Sequence, residues 1–306
     1  MPAERTEGLD QEWYQVSHIP MRPTGPMWPE SARLALSVII SLSFFEDVPP
    51  EGAVRAMDLT GGAGLAPVRP QYALLSVREY GLRVGFFRLV RELAAAGITP
   101  AVAIDVMTAE NYPFLVGYCL AQGFELIAHG IAITQPITAA MNEETERGYI
   151  AETLERFAAA TGVTPRGWFG PAWSESERTP GLLKEFGIEY LCDWPNDEQP
   201  VPMSGRAEGM TSIPLMFEFD DNYAFALRNQ SVVQYTDGLL RAAAQLRKEG
   251  AERPRLLAVS LSSWITGQGW RAPQIAAALG AIAAEERTIV ASPNEIATWC
   301  RENRDN

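Results

Sequence analysis

The residue types that could do chemistry in this chain are few, and one stands apart. Only two histidines occur, His18 and His129. His129 ends an apolar run, FELIAHG (124–130), and is followed by Gly130. A neutral imidazole at such a position can take a proton from water or orient it. Other short apolar runs end on Ser41, Ser43 and Glu46, on Asp105, on Phe169, on Asp193, and on Ser262 with Trp264. Hydrolytic zinc wants three protein ligands, mostly imidazoles, with one position open for water. Here only His129 with two carboxylates, such as Asp105 and Asp193, could supply them, and no second histidine is nearby. A metal-free route asks for less. His129 would position or deprotonate water, Glu46 or Asp193 would orient the imidazole, and Arg83 or backbone N–H groups would meet the developing oxyanion. Ser41, Ser43 and Ser262 would hydrogen-bond a ligand.

Two further groups fit a pocket wall. Trp168, Trp173, Trp194, Trp264 and Trp270 fall in segments that would border the same mouth, and aromatic faces suit a flat or cyclic ligand; core packing is the alternative for each. The segment Arg78-Glu79-Tyr80-Gly81-Leu82-Arg83 sets two guanidiniums around a carboxylate just before a helix. It reads as a clamp for a substrate amide or carboxylate through Glu79 and Arg83, or as a surface ion-pair cluster.

The elements that must hold these residues follow from punctuation. Leu34–Ser43 is a buried strand, and Glu46–Ser76, rich in Gly and Pro, reads as a long loop. Leu82–Ala96 carries Phe86, Leu89, Val90 and Leu93 on one helical face and stops at Gly97. Strands are expected at Pro100–Ile104, Phe124–His129, Gly167–Phe169, Ile188–Cys192, Leu256–Leu261 and Thr288–Ala291. Helices are expected at Ala109–Gln122, from Asn142 to near Gly162, from Thr179-Pro180 to Gly187, and at Val232–Glu249 and Ala272–Glu285. Ser292-Pro293-Asn294-Glu295 is a capping box that opens the last helix. Strand and helix alternate about seven times, which builds parallel strands with crossover helices. The expected class is α/β, with a barrel favoured over an open doubly wound sheet. Strand C-terminal ends in a barrel line one mouth, so the residues at those ends above would meet there. No GxGxxG or GxxxxGK[ST] follows a strand, so no nucleotide site is expected.

Composition limits the partners. The 306 residues carry 47% hydrophobic and 21% charged residues and a formal charge of −13. That balance disfavours nucleic acid and an anionic membrane face. The charged N-terminus does not read as a secretory signal, and three separated cysteines (Cys119, Cys192, Cys300) without a CxxC pair fit a reducing cytoplasm. The chain divides into an irregular arm, 1–30, and a single barrel domain, 31–306.

With these residues in view, the chain resembles the polysaccharide deacetylases (the NodB-homology family), in the branch that holds metal-independent allantoinases and cyclic-imide hydrolases. The resemblance runs from about Trp28 to Trp299. It is carried by REYGLRVGFFRLV (78–90), FELIAHG (124–130), TGVTPRGWFGPAWSESERTPGLLKEFGIEYLCDW (161–194) and LSSWITGQ (261–268). It implies a distorted (β/α)7 barrel of the NodB-homology type. The family's first motif places acidic residues where this chain has Ser41-Leu42-Ser43. Its second has two histidines four apart, matched here by His129 and Ile133. Its third carries an Arg where Phe169 stands, its fourth survives as Asp193-Trp194, and its fifth offers a histidine where Ser262-Ser263-Trp264 runs. The expected catalytic residues are His129, Glu46 and Asp193. The expected substrate-binding residues are Ser41, Ser43, Glu79, Arg83, Trp168, Trp194, Ser262 and Trp264. Neither a metal nor another cofactor is expected. Two functions follow from the resemblance: a metal-independent hydrolase of a non-peptide C–N bond in a small cyclic amide or imide, or a catalytically silent homologue that binds a small molecule or partners an active paralogue. Either could form a homo-oligomer or a hetero-oligomer.

Overall fold

The computed structural model describes residues 13–14, 17–22, 24–48, 50 and 72–303. Its frame is set by β1 (Leu34–Leu42), whose every residue is buried. A strand covered on both faces must be apolar throughout, and LALSVIISL is nearly so. Along its length β1 pairs in parallel with β8 (Arg255–Ser262) on one side. On the other side its C-terminal half pairs with β2 (Ala101–Ile104) and its N-terminal end with β9 (Thr288–Val290). From β2 the sheet continues through β3 (Leu126–Ala128), β4 (Gly167–Trp168), β5 (Tyr190–Leu191) and β7 (Thr211–Ser212), all parallel. The short β6 (Val201–Pro202) adds an antiparallel edge to β7. Beyond β7 the chain reaches β8 through a hydrogen bond from Met216 N to Ala258 O of 2.9 Å. The path β8-β1-β2-β3-β4-β5-β7 is the distorted (β/α)7 barrel expected from the sequence.

Strand alternation divides the core in two. One cluster fills the barrel interior with Ala35, Ile39, Ala103, Ile127, Phe169, Cys192, Ile213 and Ala258. The other lies between sheet and helices and takes the opposite-facing residues, among them Ile40, Leu42, Ala128, Trp168, Leu191 and Leu261. Trp28 and Trp299 stack with ring centroids 4.4 Å apart. They join the interior cluster together with Ile296 of the last helix.

The helices are α1 (Tyr72–Tyr80), α2 (Phe86–Ala95), α3 (Val106–Asn111), α4 (Pro113–Ala121), α5 (Glu143–Thr161), α6 (Thr179–Glu185), α7 (Val232–Glu249), α8 (Ala272–Ala283) and α9 (Pro293–Glu302). Local chemistry fixes their ends. Asn142 caps α5 by accepting from Thr145 N, and Gly162 ends it in the left-handed region. Ser231 with Gln234, and Ser292 with Glu295, form complete capping boxes.

Three expectations are corrected. The segment taken as loop up to Ser76 is helical from Tyr72; its stretch 51–71 lies outside the described residues. The helix expected from Leu82 is the continuation of α1, which passes through a π-turn at Gly81–Gly85 into α2. The helix expected over Ala109–Gln122 is two, broken where Pro113 opens α4 with no N–H to give the preceding turn. No helix among the described residues is long and apolar enough to cross a membrane.

Candidate active site

The C-terminal ends of the strands open on a cavity of about 300 Å³. On β1 and β8, Ser41 and Ser262 are direct cross-strand partners, and their hydroxyls meet at 3.4 Å. Ser260 reaches the cavity from the same face of β8, two residues earlier. Ser43, just beyond the end of β1, also borders it. His129 follows β3, and Gly130 turns the chain immediately after it at φ +72. A Cβ at Gly130 would stand 2.6 Å from the Tyr149 hydroxyl and 2.8 Å from Pro171, so only glycine fits there.

His129 is buried and held by one bond: its Nδ1–H donates to the Phe169 carbonyl at 2.5 Å. Burial drops its pKa to about 4, so the ring is neutral near pH 7 and Nε2 is left unprotonated. The orienting group is thus a backbone carbonyl, in place of Glu46 or Asp193. Glu46 accepts from Thr134 Oγ1 (2.6 Å) and Gln135 Nε2 (2.9 Å), and it faces a neighbouring hollow shared with Glu79. Asp193 is buried behind the wall, where its Oδ1 accepts from Gly170 N at 2.7 Å. Asp105 caps α3 and also accepts from Phe44 N at 2.6 Å, a structural role at the end of β1.

The clamp segment divides. Arg78 enters the cavity, its guanidinium 3.6 Å from the Phe45 ring centroid and 5.9 Å from that of Trp264. Arg83, five residues later, is exposed. Among the tryptophans, Trp264 borders the cavity, whereas Trp168 points into the core between sheet and helices because its strand neighbour Phe169 points inward. Trp194 lies outside the cavity and donates to Glu175 at 2.8 Å. Trp173 joins the wall instead, in edge contact with Phe169 and Phe217 at 5.4 Å each. It and Ala172 sit at positive φ (59 and 56), a conformation costing about 1–3 kcal/mol each that the surroundings must hold in place.

The principal residues that sequence reasoning did not reach are Asp220 and Asp221. They follow a 3-10 turn, Phe217–Phe219, in a segment with no strand pattern of its own. Asp220 borders the cavity, and burial raises its carboxyl to about 6 against hydrogen bonds from Tyr223 N, Ser260 and Trp173. Asp221 is fully buried. Its Oδ2 accepts from Ser262 N (2.7 Å) and Thr266 Oγ1 (2.6 Å), and burial plus the neighbouring Asp220 charge push it to about 7. Asn222 donates to Ser262 Oγ at 2.6 Å. The available signal was the run FEFDDNYAF, two adjacent acids among aromatics.

These donors do not fit a zinc ion. The cavity offers one imidazole and one carboxylate, His129 and Asp220, with an Ile133 side chain where the family's second histidine would stand and serine hydroxyls around them. Among the described residues no group of three His, Cys, Asp or Glu side chains converges as a metal would need.

The strand ends of the barrel thus carry a polar floor under aromatic walls. Neither a family model nor a curated protein sequence matches the chain. Solved structures do match. PuuE allantoinase superposes with a TM-score of 0.81 at 23% identity, covering 94% of this chain and 96% of that one. A probable polysaccharide deacetylase from Pseudomonas aeruginosa PAO1 gives 0.79 at 25% identity, covering 92% and 96%. A polysaccharide-deacetylase-type protein from Mycobacterium smegmatis gives 0.75 at 19%, also covering 92% and 96%. The fold is that of the polysaccharide deacetylases and of PuuE allantoinase.

Proposed function

We propose that this chain is a polysaccharide-deacetylase-like hydrolase that opens a small cyclic amide or imide without a metal. One observation carries the reading. A single aromatic-walled cavity holds a neutral, fixed imidazole together with a carboxyl whose pKa lies close to neutrality. The allantoinase and deacetylase names of the fold's neighbours support hydrolysis of a C–N bond.

Asp220 is the better base of the two, because a proton acceptor works best with a pKa near the working pH, and His129 at about 4 is too weak. Ionised Asp220 takes a proton from water as its oxygen adds to the ring carbonyl. The negative oxygen that develops is met by the Arg78 guanidinium, and His129 Nε2 accepts the ring N–H. The C–N bond then breaks, and the proton held on Asp220 passes to the leaving nitrogen. Phe45, Phe169, Trp173, Phe217, Tyr223 and Trp264 bury the flat ring. The test is a substrate panel of hydantoin, allantoin, succinimide and dihydrouracil beside N-acetylated sugar oligomers. Ring opening that Asp220→Asn abolishes supports the reading; activity on the sugars alone overturns it.

A second reading, a catalytically silent binder, is favoured by His129 itself, whose burial leaves it a poor base, and by the side chains Ser41, Ser43, Ile133, Phe169 and Ser262 at the motif positions. Thermal stabilisation by the same ring compounds without turnover would select it.

A further inference from the structure

The peptide unit between Phe169 and Gly170 is used at both ends. Its carbonyl accepts the His129 Nδ1–H at 2.5 Å, and its N–H donates to Asp193 Oδ1 at 2.7 Å. Behind it, Asp193 Oδ2 and Glu175 Oε1 are both buried, and no N–H or hydroxyl among the described residues satisfies either oxygen. The two carboxyls are within hydrogen-bond reach of each other. Glu175's other oxygen accepts from Trp194 Nε1 at 2.8 Å. Two carboxyls within hydrogen-bond reach in a buried site repel when both are ionised, and one proton held between them removes that repulsion and satisfies an oxygen of each.

We propose that Glu175 and Asp193 share one proton as a buried acid–carboxylate pair, and that this pair positions His129 and sets its basicity through the Phe169–Gly170 peptide. Negative charge on Asp193 polarises the amide it binds, which makes the Phe169 carbonyl a stronger acceptor and leaves more electron density on Nε2. Among the described residues no cation acts on the pair, and the position where the resemblance implies an arginine holds Phe169. The other titratable groups facing it are the buried Cys192 thiol, which burial keeps protonated, and Glu146, whose charge is met by Arg178 at 3.1 Å and by the Ser176 and Thr179 hydroxyls. Burial, and then the charge of Asp193, hold Glu175 protonated, which makes it the donor of the pair. Glu175 and Asp193 are positioning residues, and their effect on catalysis rests on the role given to His129 above.

The experiment is histidine-selective 15N NMR on the full chain, where only His18 and His129 contribute and His129→Gln assigns the peaks. The expected wild-type spectrum shows His129 as the Nδ1–H tautomer with a downfield ring proton. Glu175→Gln donates an amide N–H to Asp193 and localises the charge there, so the Nδ1 proton moves further downfield. Asp193→Asn keeps an oxygen for Gly170 N–H while moving the charge out to Glu175, so the proton moves upfield. A purely structural role would shift both variants alike or neither, and either result overturns the proposal. If Asp193→Asn fails to fold, Glu175→Gln decides alone: a downfield shift supports the pair and an unchanged peak refutes it. The spectrum needs no turnover. Opposed shifts in a protein inert on every ring substrate would keep the pair and discard the hydrolase reading.

Discussion

Replacing Asp220 by Asn separates a base in the cavity from a residue that merely lines it. Asn keeps the size and keeps an oxygen for Tyr223 N, but it cannot take a proton. With the carboxyl near 6, about a tenth of the wild-type protein has Asp220 ionised at pH 5 and about nine-tenths at pH 7. The wild-type kcat/KM for ring opening should therefore rise about tenfold across that interval and level off above it. Asp221 sits alongside with its carboxyl near 7, so the limb belongs to the pair and should be broader than a single titration. Asp220→Asn should lower kcat by about 10²–10⁴-fold, the usual worth of a positioned base, and should flatten the limb. KM should change little, because the cavity shape and its aromatic walls persist. The assay is a continuous absorbance measurement of ring opening in overlapping buffers from pH 4.5 to 8.5. A variant that retains both the rate and the acid limb would refute Asp220 as the base.

Three more outcomes follow from the same geometry. Arg78→Lys keeps the charge but loses the planar group stacked on Phe45, so kcat should fall more than about tenfold while Asp220's pH limb stays in place; an unchanged kcat would remove Arg78 from the oxyanion role. Gly85→Ala puts a Cβ 2.2 Å from the Ser263 carbonyl, and urea titration should show a loss of about 1–3 kcal/mol or more, with no loss contradicting the close approach of α2's entry turn to the Trp264 loop. Asp105 is pushed up to about 7 by burial, above its unfolded value, so its contribution to stability is complete in acid and is lost as pH rises towards 7; Tm should fall less over that range in Asp105→Asn than in wild type, although the variant starts lower because Phe44 N or Thr108 N loses its acceptor.

Much of this fold was legible because its signals are local. Asn142, Gly162 and the Ser292–Glu295 box act within a few residues, so the sequence marks those helix ends directly. The strand ends were also legible, and Ser41, Ser43, His129, Ser262 and Trp264 do share one cavity. What stayed hidden depends on contacts far apart in sequence. Asp220 reaches the site because a segment without strand character bonds to β8 through Met216, a pairing no periodicity announces. Trp168 and Trp173 were indistinguishable by type; strand alternation sends one outward, and a positive-φ turn brings the other in. The start of α1 was obscured because Gly81 and Gly85 resemble stops, whereas they are the places where the helix widens and meets Trp264 and Ser263.

In the proposed mechanism one imidazole, one aspartate and an arginine do together what a bound ion would otherwise do. Its most direct test is the ring-opening rate of protein treated with a strong chelator, with metal content measured on the same sample. The rate should stay within about twofold of the untreated value, and added zinc should not raise it. A rate that vanishes on chelation and returns with one equivalent of zinc would contradict it.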